Sequence, residues 1–157
     1  MRIIVISDSH GAVSKIDYAM QSFPDALDVF FLGDCVRDIE KLYEFYPKHR
    51  FHVVKGNCDF GSDENTVGEA MICSKRIMYT HGHTFDVKYG TERLIERAKY
   101  INADIVLYGH THIAKTEYVD GIYLINPGSV SAARTGKNSF CIIDIKSNGI
   151  LPAIIET

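Results

Sequence analysis

Residues 2–11, with the sequence RIIVISDSHG, constrain the fold of this chain more than any other segment. Ile3 to Ser7 are mostly β-branched, uncharged and without polar alternation, which is typical of a strand covered on both faces. Asp8 and His10 follow two residues apart, so in extended backbone their side chains point the same way. Open α/β sheets bind ligands beyond the carboxyl ends of their strands. The segment therefore predicts a buried strand that delivers a carboxylate and an imidazole to a functional site.

The first 60 residues alternate between strand and helix patterns. Apolar residues recur at helical spacing after the first strand, and Pro24 and Pro47 end the two helical segments. The predicted strands span residues 3–7, 27–32 and 51–54, and the predicted helices span 12–23 and 36–46. Short right-handed crossovers in a β-α-β-α-β series build a parallel sheet, which is the expected structure here.

In the rest of the chain strands predominate. They are predicted at 69–73, 76–80, 105–108, 115–119, 122–125, 139–145 and 150–156, with one helix at 87–101. Asp120-Gly121 and Asn148-Gly149 are strong hairpin signals. The predicted class is therefore α/β with an α+β-like C-terminal half. Two packed sheets flanked by helices, in a single domain of residues 1–157, are the expected closure.

Composition narrows the classes of function. The net charge of −3 gives no electrostatic footprint for nucleic acid, so stable nucleic-acid binding is not expected. No apolar run approaches the ~20 residues that span a bilayer, and the N-terminus lacks a signal-peptide layout, so we expect a cytoplasmic protein without membrane association. Nine tyrosines and eight phenylalanines leave a homo-oligomer interface open. Cys73 and Cys141 lie in apolar strand-like runs and are expected to be buried thiols.

Glycine-flanked polar clusters follow the predicted strands repeatedly. They contribute two carboxylates, one amide and four imidazoles, from Asp8, His10, Asp34, Asn57, His81, His110 and His112. Taken singly, such residues are most often turn residues, helix N-caps or structural histidines. His49 and His52 lack a glycine-loop setting and are expected to be surface or strand histidines. Carboxylate and imidazole together suit Mn, Fe, Zn, Co or Ni. Seven ligands exceed the needs of one ion with an open position and suit two ions about 3.5–4 Å apart.

The motif series resembles that of the calcineurin-like metallophosphoesterases. The matching segments are Asp8-Ser9-His10, Gly33-Asp34, Gly56-Asn57-Cys58-Asp59, His81-Gly82-His83 and Gly109-His110-Thr111-His112. Asn126-Pro127-Gly128-Ser129 is similar to a segment of the compact YfcE-like phosphodiesterase branch. The resemblance covers residues 2 to about 145. It implies a four-layer αββα sandwich of two mixed sheets, of the metallo-dependent phosphatase type.

The resemblance also implies roles for the seven side chains. Asp8, His10 and His112 would hold one divalent ion, Asn57, His81 and His110 the other, and Asp34 would bridge both. Asp8, Asp34, Asn57, His81 and His110 would also be the catalytic residues. The expected cofactors are two transition-metal ions per subunit, with Mn²⁺ preferred and Ni, Fe, Co or Zn as alternatives. A hydroxide bridging the ions would attack a small or nucleotide-like phosphodiester in line with the leaving group, without a covalent enzyme intermediate.

Cys58 departs from the Gly-Asn-His-Asp/Glu pattern of many relatives. Their histidine lies near the leaving group, whereas a thiol is a weak hydrogen-bond donor. The departure predicts a preference for diesters, or for esters with acidic leaving groups, over alkyl monoesters. A cysteine nucleophile is disfavoured, because no phosphate-cradling loop ending in arginine follows Cys58.

Two other classes of function are the alternatives. A non-catalytic metal-binding scaffold, resembling the small subunit of the eukaryotic retromer, would need partner surfaces rather than a full ligand set. A redox or oxygen-using metal protein would need a two-histidine, one-carboxylate site with open positions, and the number of candidate ligands here is too high for it. Substrate walls are expected at 36–38, 60–66 and 131–137, where Arg37 and Arg134 could contact a phosphate. The candidates for orienting the metal-binding imidazoles are Asp59, His83 and Thr111.

Overall fold

The computed structural model describes residues 1–146 and 149–157. Within these residues the chain forms ten strands and three α-helices. The strands are β1 (Arg2–Ile6), β2 (Asp28–Phe31), β3 (Arg50–Val53), β4 (Val67–Ile72), β5 (Lys75–Thr80), β6 (Ile105–Tyr108), β7 (Ala114–Val119), β8 (Ile122–Pro127), β9 (Ser139–Lys146) and β10 (Gly149–Glu156). The helices are α1 (Val13–Ser22), α2 (Val36–Glu40) and α3 (Glu92–Tyr100), and 3-10 turns span Tyr43–Phe45 and His83–Phe85.

The strands form two mixed five-stranded sheets. The first sheet has the order β10-β9-β1-β2-β3, and the second has the order β4-β5-β6-β8-β7. In the first sheet β1, β2 and β3 run parallel, as the β-α-β-α-β pattern predicted. In the second sheet β5, β6 and β8 run parallel, while β4 and β7 are antiparallel edge strands. Parallel strands place their carboxyl ends at one edge, which is where the polar clusters lie.

The packing of β1 explains why its sequence lacks polar alternation. Ile3 and Val5 belong to an apolar cluster that also contains Leu107 and other residues of the second sheet. Ile4 and Ile6 face the other way and pack with residues of α1 and α2. A third cluster joins α3 to the outer face of the second sheet. The four-layer αββα sandwich is therefore confirmed, with the main core between the sheets.

Two helices differ from their predicted bounds. The helix predicted at 36–46 ends at Glu40, because the next turn tightens: the amide of Leu42 donates to the carbonyl of Ile39, three residues back. The helix predicted at 87–101 begins only at Glu92. Val87 packs closely on Gly82 instead of starting the helix, since a Cβ on Gly82 would lie 2.8 Å from its Cγ2 atom. The apolar residues in both segments do pack against the core, and their spacing therefore predicted a helix. The backbone that carries them is a 3-10 turn in the first segment and a loop in the second.

Two further expectations are corrected or limited. Cys73 is exposed, because β4 ends at Ile72 and the residue enters the turn to β5 with a φ of +48°. Cys141 is buried, as predicted. The Asp120-Gly121 turn is present, with both residues at positive φ, but Asn148 lies outside the described residues.

The described residues include no helix that is both long and apolar enough to cross a membrane. Both sheets contribute to one shared apolar cluster. On that basis we propose that residues 1–157 form a single domain.

Candidate metal centre

Five strands end beneath one group of polar side chains. Asp8 and His10 follow β1, Asp34 follows β2, and Asn57 follows β3. His81 follows β5, and His110 and His112 follow β6. The two sheets pack face to face, so the carboxyl ends of parallel strands from both meet at this edge.

The backbone at this edge is strained. Five of the seven candidate ligands adopt positive φ, with values of 57° for Asp8, 44° for His10, 57° for Asp34, 68° for His110 and 59° for His112. Non-glycine residues are uncommon in this region, and each one costs of order 1 kcal/mol or more unless its surroundings hold it there. Such strain gathers at functional sites, which supports a common role for these residues.

One donor cluster contains Asp8, His10, Asp34 and His112. Each offers a ligand atom, and these atoms all lie within 4.8 Å of one another. The Nε2 atoms of His10 and His112 are 3.3 Å apart, and His112 Nε2 lies 3.1 Å from Asp8 Oδ1. His112 Nδ1 lies 2.7 Å from the carbonyl oxygen of Ala132, to which it donates. That bond fixes the tautomer and leaves the Nε2 lone pair directed into the cluster.

A second donor cluster lies beside the first. Nε2 of the buried His81 is 3.2 Å from Asn57 Oδ1 and 3.1 Å from His110 Nδ1. His81 Nδ1 lies 2.7 Å from the carbonyl oxygen of Leu32, to which it donates. The His81 lone pair therefore points at the amide oxygen and the second imidazole, an arrangement able to hold a cation.

Asp34 lies between the two clusters. Its Oδ1 atom is 3.5 Å from His81 Nε2, and its Oδ2 atom is 4.0 Å from His10 Nε2. The backbone amide of Cys58 donates to Oδ1 over 2.9 Å and fixes the carboxylate plane. Each carboxylate oxygen thus faces a different cluster, as a ligand shared by two ions would require.

The residues at the centre fit a bound cation. Asp8 is fully buried, and its Oδ1 atom has no hydrogen-bond partner among the described residues. A buried carboxylate oxygen without a partner is costly, and a divalent ion in contact with it would remove that cost. The surrounding donors are imidazole nitrogens and carboxylate oxygens, a mixture that suits transition metals better than Mg²⁺ or Ca²⁺.

Burial and the close approach of the donors shift their pKa values in both directions. Burial alone would raise the pKa of Asp8, but contact with His112 and the charge of His81 hold it below its ordinary value. Asp8 in turn raises the pKa of His112. Burial, and then the neighbouring His81, lower the pKa of His110 to about 4. The His110 imidazole is therefore neutral at neutral pH and keeps a lone pair for a metal.

Glycines let the ligand loops approach each other closely. A Cβ on Gly56 would lie 2.1 Å from Asp34 Oδ1. A Cβ on Gly109 would lie 2.0 Å from Ser7 Oγ, the hydroxyl that donates to Asp8 over 2.5 Å. A side chain at either position would displace Asp34 or the Ser7–Asp8 pair, which explains the glycines that precede Asn57 and His110.

The outer contacts differ from those expected. Among the described residues no hydrogen bond joins Asp59 to an imidazole; its carboxylate accepts hydrogen bonds from backbone amides of the loops around Asp34 and Gly56, at 2.7–2.8 Å. The Thr111 hydroxyl accepts from Asn126 Nδ2 at 3.0 Å, and backbone carbonyls orient His81 and His112 instead. Sequence reasoning could not find these partners, since backbone carbonyls carry no sequence signal.

Sequence reasoning also missed two structural roles. Asp38, assigned to a substrate wall, is buried and accepts hydrogen bonds from Ser9 Oγ at 2.8 Å and from the Gly11 amide at 2.7 Å. Ser129, in the segment matched to the compact branch, donates to the Asp8 carbonyl at 2.7 Å. Both residues hold the loop that carries Asp8, and the Asn126-Ser129 motif was the only signal for either of them.

The other histidines lie outside the two clusters. His52 contacts the buried Asp28 at 3.0 Å, which agrees with a structural role. Both ring nitrogens of His49 are buried without a partner among the described residues. His83 lies beside the second donor cluster, with its ring centroid 5.4 Å from that of His81 and 6.1 Å from that of His110.

A family model described as the calcineurin-like phosphoesterase superfamily domain matches residues 1–148. A probable metallophosphoesterase of Bacillus subtilis, YsnB, is 31% identical over 151 residues, which cover 94% of this chain and 86% of the relative. Phosphodiesterase YfcE of Escherichia coli is 27% identical over 161 residues, covering 87% of this chain and 83% of the relative.

Solved structures show the same architecture. A predicted phosphoesterase from Streptococcus pneumoniae matches with a TM-score of 0.88 and 30% identity, over 99% of this chain and 88% of the other. Vps29 of Entamoeba histolytica, solved in complex with zinc, matches with a TM-score of 0.77 and 23% identity, over 99% of each chain. At that identity the second likeness shows the fold alone.

Proposed function

Because the chain belongs to the calcineurin-like phosphoesterase superfamily, as its motif series predicted, we propose that it is a metal-dependent phosphodiesterase acting on small or nucleotide-like substrates. The observation that carries the proposal is the position of Asp34, with one carboxylate oxygen directed to each donor cluster. The relative YfcE is named a phosphodiesterase, which supports the reaction class. The cofactors we propose are two divalent transition-metal ions, with Mn²⁺ preferred and Ni, Fe, Co or Zn as alternatives.

The proposed ligand sets follow the two donor clusters. Asp8, His10 and His112 would hold one ion, Asn57, His81 and His110 would hold the other, and Asp34 would contact both. Such ions supply an acidified water as nucleophile and positive charge for the phosphoryl oxygens. The chain itself contributes preorganisation, since hydrogen bonds to backbone carbonyls fix the two imidazoles of His81 and His112 before substrate binds.

The state of Cys58 agrees with a reaction that has no cysteine nucleophile. Partial burial, followed by the adjacent Asp34 carboxylate, raises the pKa of the Cys58 thiol to about 11. The residue is neutral at neutral pH, whereas a nucleophilic cysteine reacts as the thiolate. Its backbone amide also donates to Asp34 Oδ1 over 2.9 Å.

The direct test is hydrolysis of bis-p-nitrophenyl phosphate by chelator-treated protein, with and without added Mn²⁺. We expect turnover only with metal, and we expect His110→Ala to lower kcat/KM at least about 100-fold, because the loss of a ligand should exceed the ~10–100-fold cost of losing a partner of a ligand. The matched control is Thr84→Ala, which alters an exposed side chain in the loop after His81 and should retain wild-type activity. A His110→Ala protein with full activity would contradict the ligand assignment.

The fold shared with Vps29 supports a second candidate, a non-catalytic metal-binding scaffold for protein partners. The same assay separates the two functions. Protein that binds metal, yet hydrolyses neither bis-p-nitrophenyl phosphate nor p-nitrophenyl phosphate, would favour the scaffold. The presence of all seven donors at one edge favours the enzyme, since a scaffold has no need of a complete ligand set.

The thiol of Cys58 leads to a prediction about which leaving groups give a high rate of hydrolysis. A thiol is a weak donor and gives little help to an alkoxide, whereas p-nitrophenolate leaves without a proton. We expect wild-type kcat/KM to be far higher for bis-p-nitrophenyl phosphate than for glycerol 2-phosphate. Cys58→His should raise the rate for the alkyl ester about tenfold or more and change the aryl diester less. A wild-type preference for glycerol 2-phosphate would show this prediction to be wrong.

The cellular location and the partners of the protein are predicted from the sequence. We propose a cytoplasmic protein that acts on diffusible phosphodiesters and forms no stable complex with nucleic acid. The net charge of −3 supports the second statement. Whether the chain forms a homo-oligomer is open to measurement by light scattering.

A further inference from the structure

Two clefts of similar size flank the candidate metal centre. One, of about 660 Å³, lies on the Cys58 side and is lined by α2 with its flanking residues and by the loop after β3. The other, of about 640 Å³, lies on the Thr111 side between the residues before α3, the start of β7 and the loop before β9. A phosphodiester has two ester arms, and the two clefts offer these arms two different surfaces.

The cleft on the Thr111 side borders the loops that carry several of the candidate ligands. Thr111 lies between His110 and His112 in the chain and lines the cleft. The backbone amide of Arg134, another lining residue, donates to the carbonyl of His112 over 3.1 Å. Val87, also in the lining, packs against Gly82, the residue after His81. The cleft therefore contacts the loops of both donor clusters.

This cleft is cationic in a chain of net negative charge. Lys88, Lys115 and Arg134 line it, against one acidic residue, Glu92. Lys115 forms an ion pair with Glu117 at 2.9 Å, and Glu117 does not line the cleft. In the part of the chain that the structure describes, Lys88 and Arg134 form no ion pair. Two exposed cations are thus available to a ligand.

The cleft on the Cys58 side has the opposite charge. Its acidic lining residues outnumber its cations, and they are Asp38, Glu40, Asp59, Asp63 and Glu64. Its two cations are Arg37 and Lys41, and Lys41 lies 3.6 Å from the buried Asp38. Charges of one sign that line a cleft add up to a strong local potential. An anionic ester arm would therefore be repelled by the acidic cleft on the Cys58 side and attracted to the cationic cleft on the Thr111 side.

We propose that the cleft on the Thr111 side is a subsite for a substrate arm that carries a second phosphate, bound by Lys88 and Arg134. The inference rests on the proposed phosphodiesterase function and names the substrate class as phosphodiesters with an additional phosphate. The planar fork of Arg134 suits the oxygens of a phosphate, and Lys88 adds a point charge. Tyr89 and Ile113, both exposed in the lining, offer apolar surface to the sugar or ring between the two phosphates.

The test compares three chromogenic substrates of the Mn²⁺-loaded enzyme. They are bis-p-nitrophenyl phosphate, thymidine 5'-(p-nitrophenyl phosphate) and the same nucleotide ester with a 3'-phosphate. We expect wild-type kcat/KM to be about tenfold higher with the 3'-phosphate than without it, as one or two charge-assisted contacts at an exposed site would give. The Lys88→Gln/Arg134→Gln protein should lose that preference. The preference should also decrease as salt rises.

The matched control is Lys137→Gln. Lys137 is exposed, belongs to the same loop as Arg134, pairs with Glu156 at 3.2 Å and does not line the cleft. This variant should retain the preference. Hydrolysis of all three substrates by the wild type without a preference for the 3'-phosphate would overturn the subsite and leave the phosphodiesterase proposal intact.

A binding measurement keeps the two proposals separate. If no ester is hydrolysed, the proposed function fails, and calorimetric titration of Mn²⁺-loaded protein with thymidine 3',5'-bisphosphate still tests the subsite. We expect the Lys88→Gln/Arg134→Gln protein to bind the bisphosphate about tenfold more weakly than the wild type and the Lys137→Gln protein do. Equal affinity of all three proteins would overturn the subsite whatever the activity assay shows.

Discussion

Asp34→Asn is expected to lower metal-dependent kcat/KM by about 10³-fold or more. Asp34 is the only one of the seven donors whose two oxygens face different clusters, at 3.5 Å from His81 and 4.0 Å from His10. An amide removes the negative charge between the two proposed ions and offers only one oxygen. The loss of several kcal/mol of electrostatic stabilisation corresponds to a change of this size. The measurement is steady-state hydrolysis of bis-p-nitrophenyl phosphate, with the metal content of each protein determined in parallel.

The same substitution should leave the metal-free protein folded. Asp8 and Asp34 are both buried, and removal of one carboxylate from the pair reduces their mutual repulsion. The thermal midpoint without metal should therefore change little, whereas stabilisation by added Mn²⁺ should be largely lost. Asp63→Asn is the control, because it neutralises an exposed carboxylate near the same loop. An Asp34→Asn protein that binds two ions and turns over substrate normally would contradict a bridging role.

The location of the candidate site was predictable because it depends on strand direction. A run such as Ile3 to Ser7 is typical of a strand covered on both faces, and parallel strands end at the same edge. Asp8 and His10 were therefore expected at that edge, although they lie there at positive φ and not in the extended backbone first assumed. The same argument places Asp34 and His81 at the edge, whereas the division of the donors into two sets came from the resemblance of the motifs.

The details of the loops were not predictable in the same way. Asp38 accepts hydrogen bonds from Ser9 and Gly11, partners 29 and 27 residues away, and Asp59 reaches amides 23–25 residues away. Such contacts depend on how one loop docks on another, which no local pattern encodes. The start of α3 was missed for a related reason, since Val87 packs on the loop after β5. Hydrophobic spacing records that a residue is buried and does not record what buries it.

Asp59→Ala is expected to lower the free energy of unfolding by about 3–4 kcal/mol. The carboxylate accepts four backbone hydrogen bonds, with Oδ2 bound to the amides of Asp34 and Gly56 and Oδ1 bound to those of Cys35 and Val36. Cys35, the N-cap residue of α2, makes no capping hydrogen bond with its own side chain. Asp59 therefore caps that helix from another loop, and alanine would leave four partly buried donors without a partner. The measurement is urea unfolding of metal-free protein.

The effect should extend from stability to metal binding, because the four amides belong to the two loops that position Asp34 and Asn57. We expect the affinity for the divalent ions to decrease by about 10–100-fold, the range typical for loss of a group that positions ligands. Asp59→Asn retains one acceptor oxygen but turns an NH₂ group toward two N–H donors, so it should lose nearly as much stability as alanine. Asp63→Ala, an exposed neighbour in the same loop, should change stability by less than about 0.5 kcal/mol. If Asp59→Ala is as stable as the wild type and binds metal as tightly, then the loops around Asp34 are held by their glycine contacts alone, and Asp59 has no positioning role.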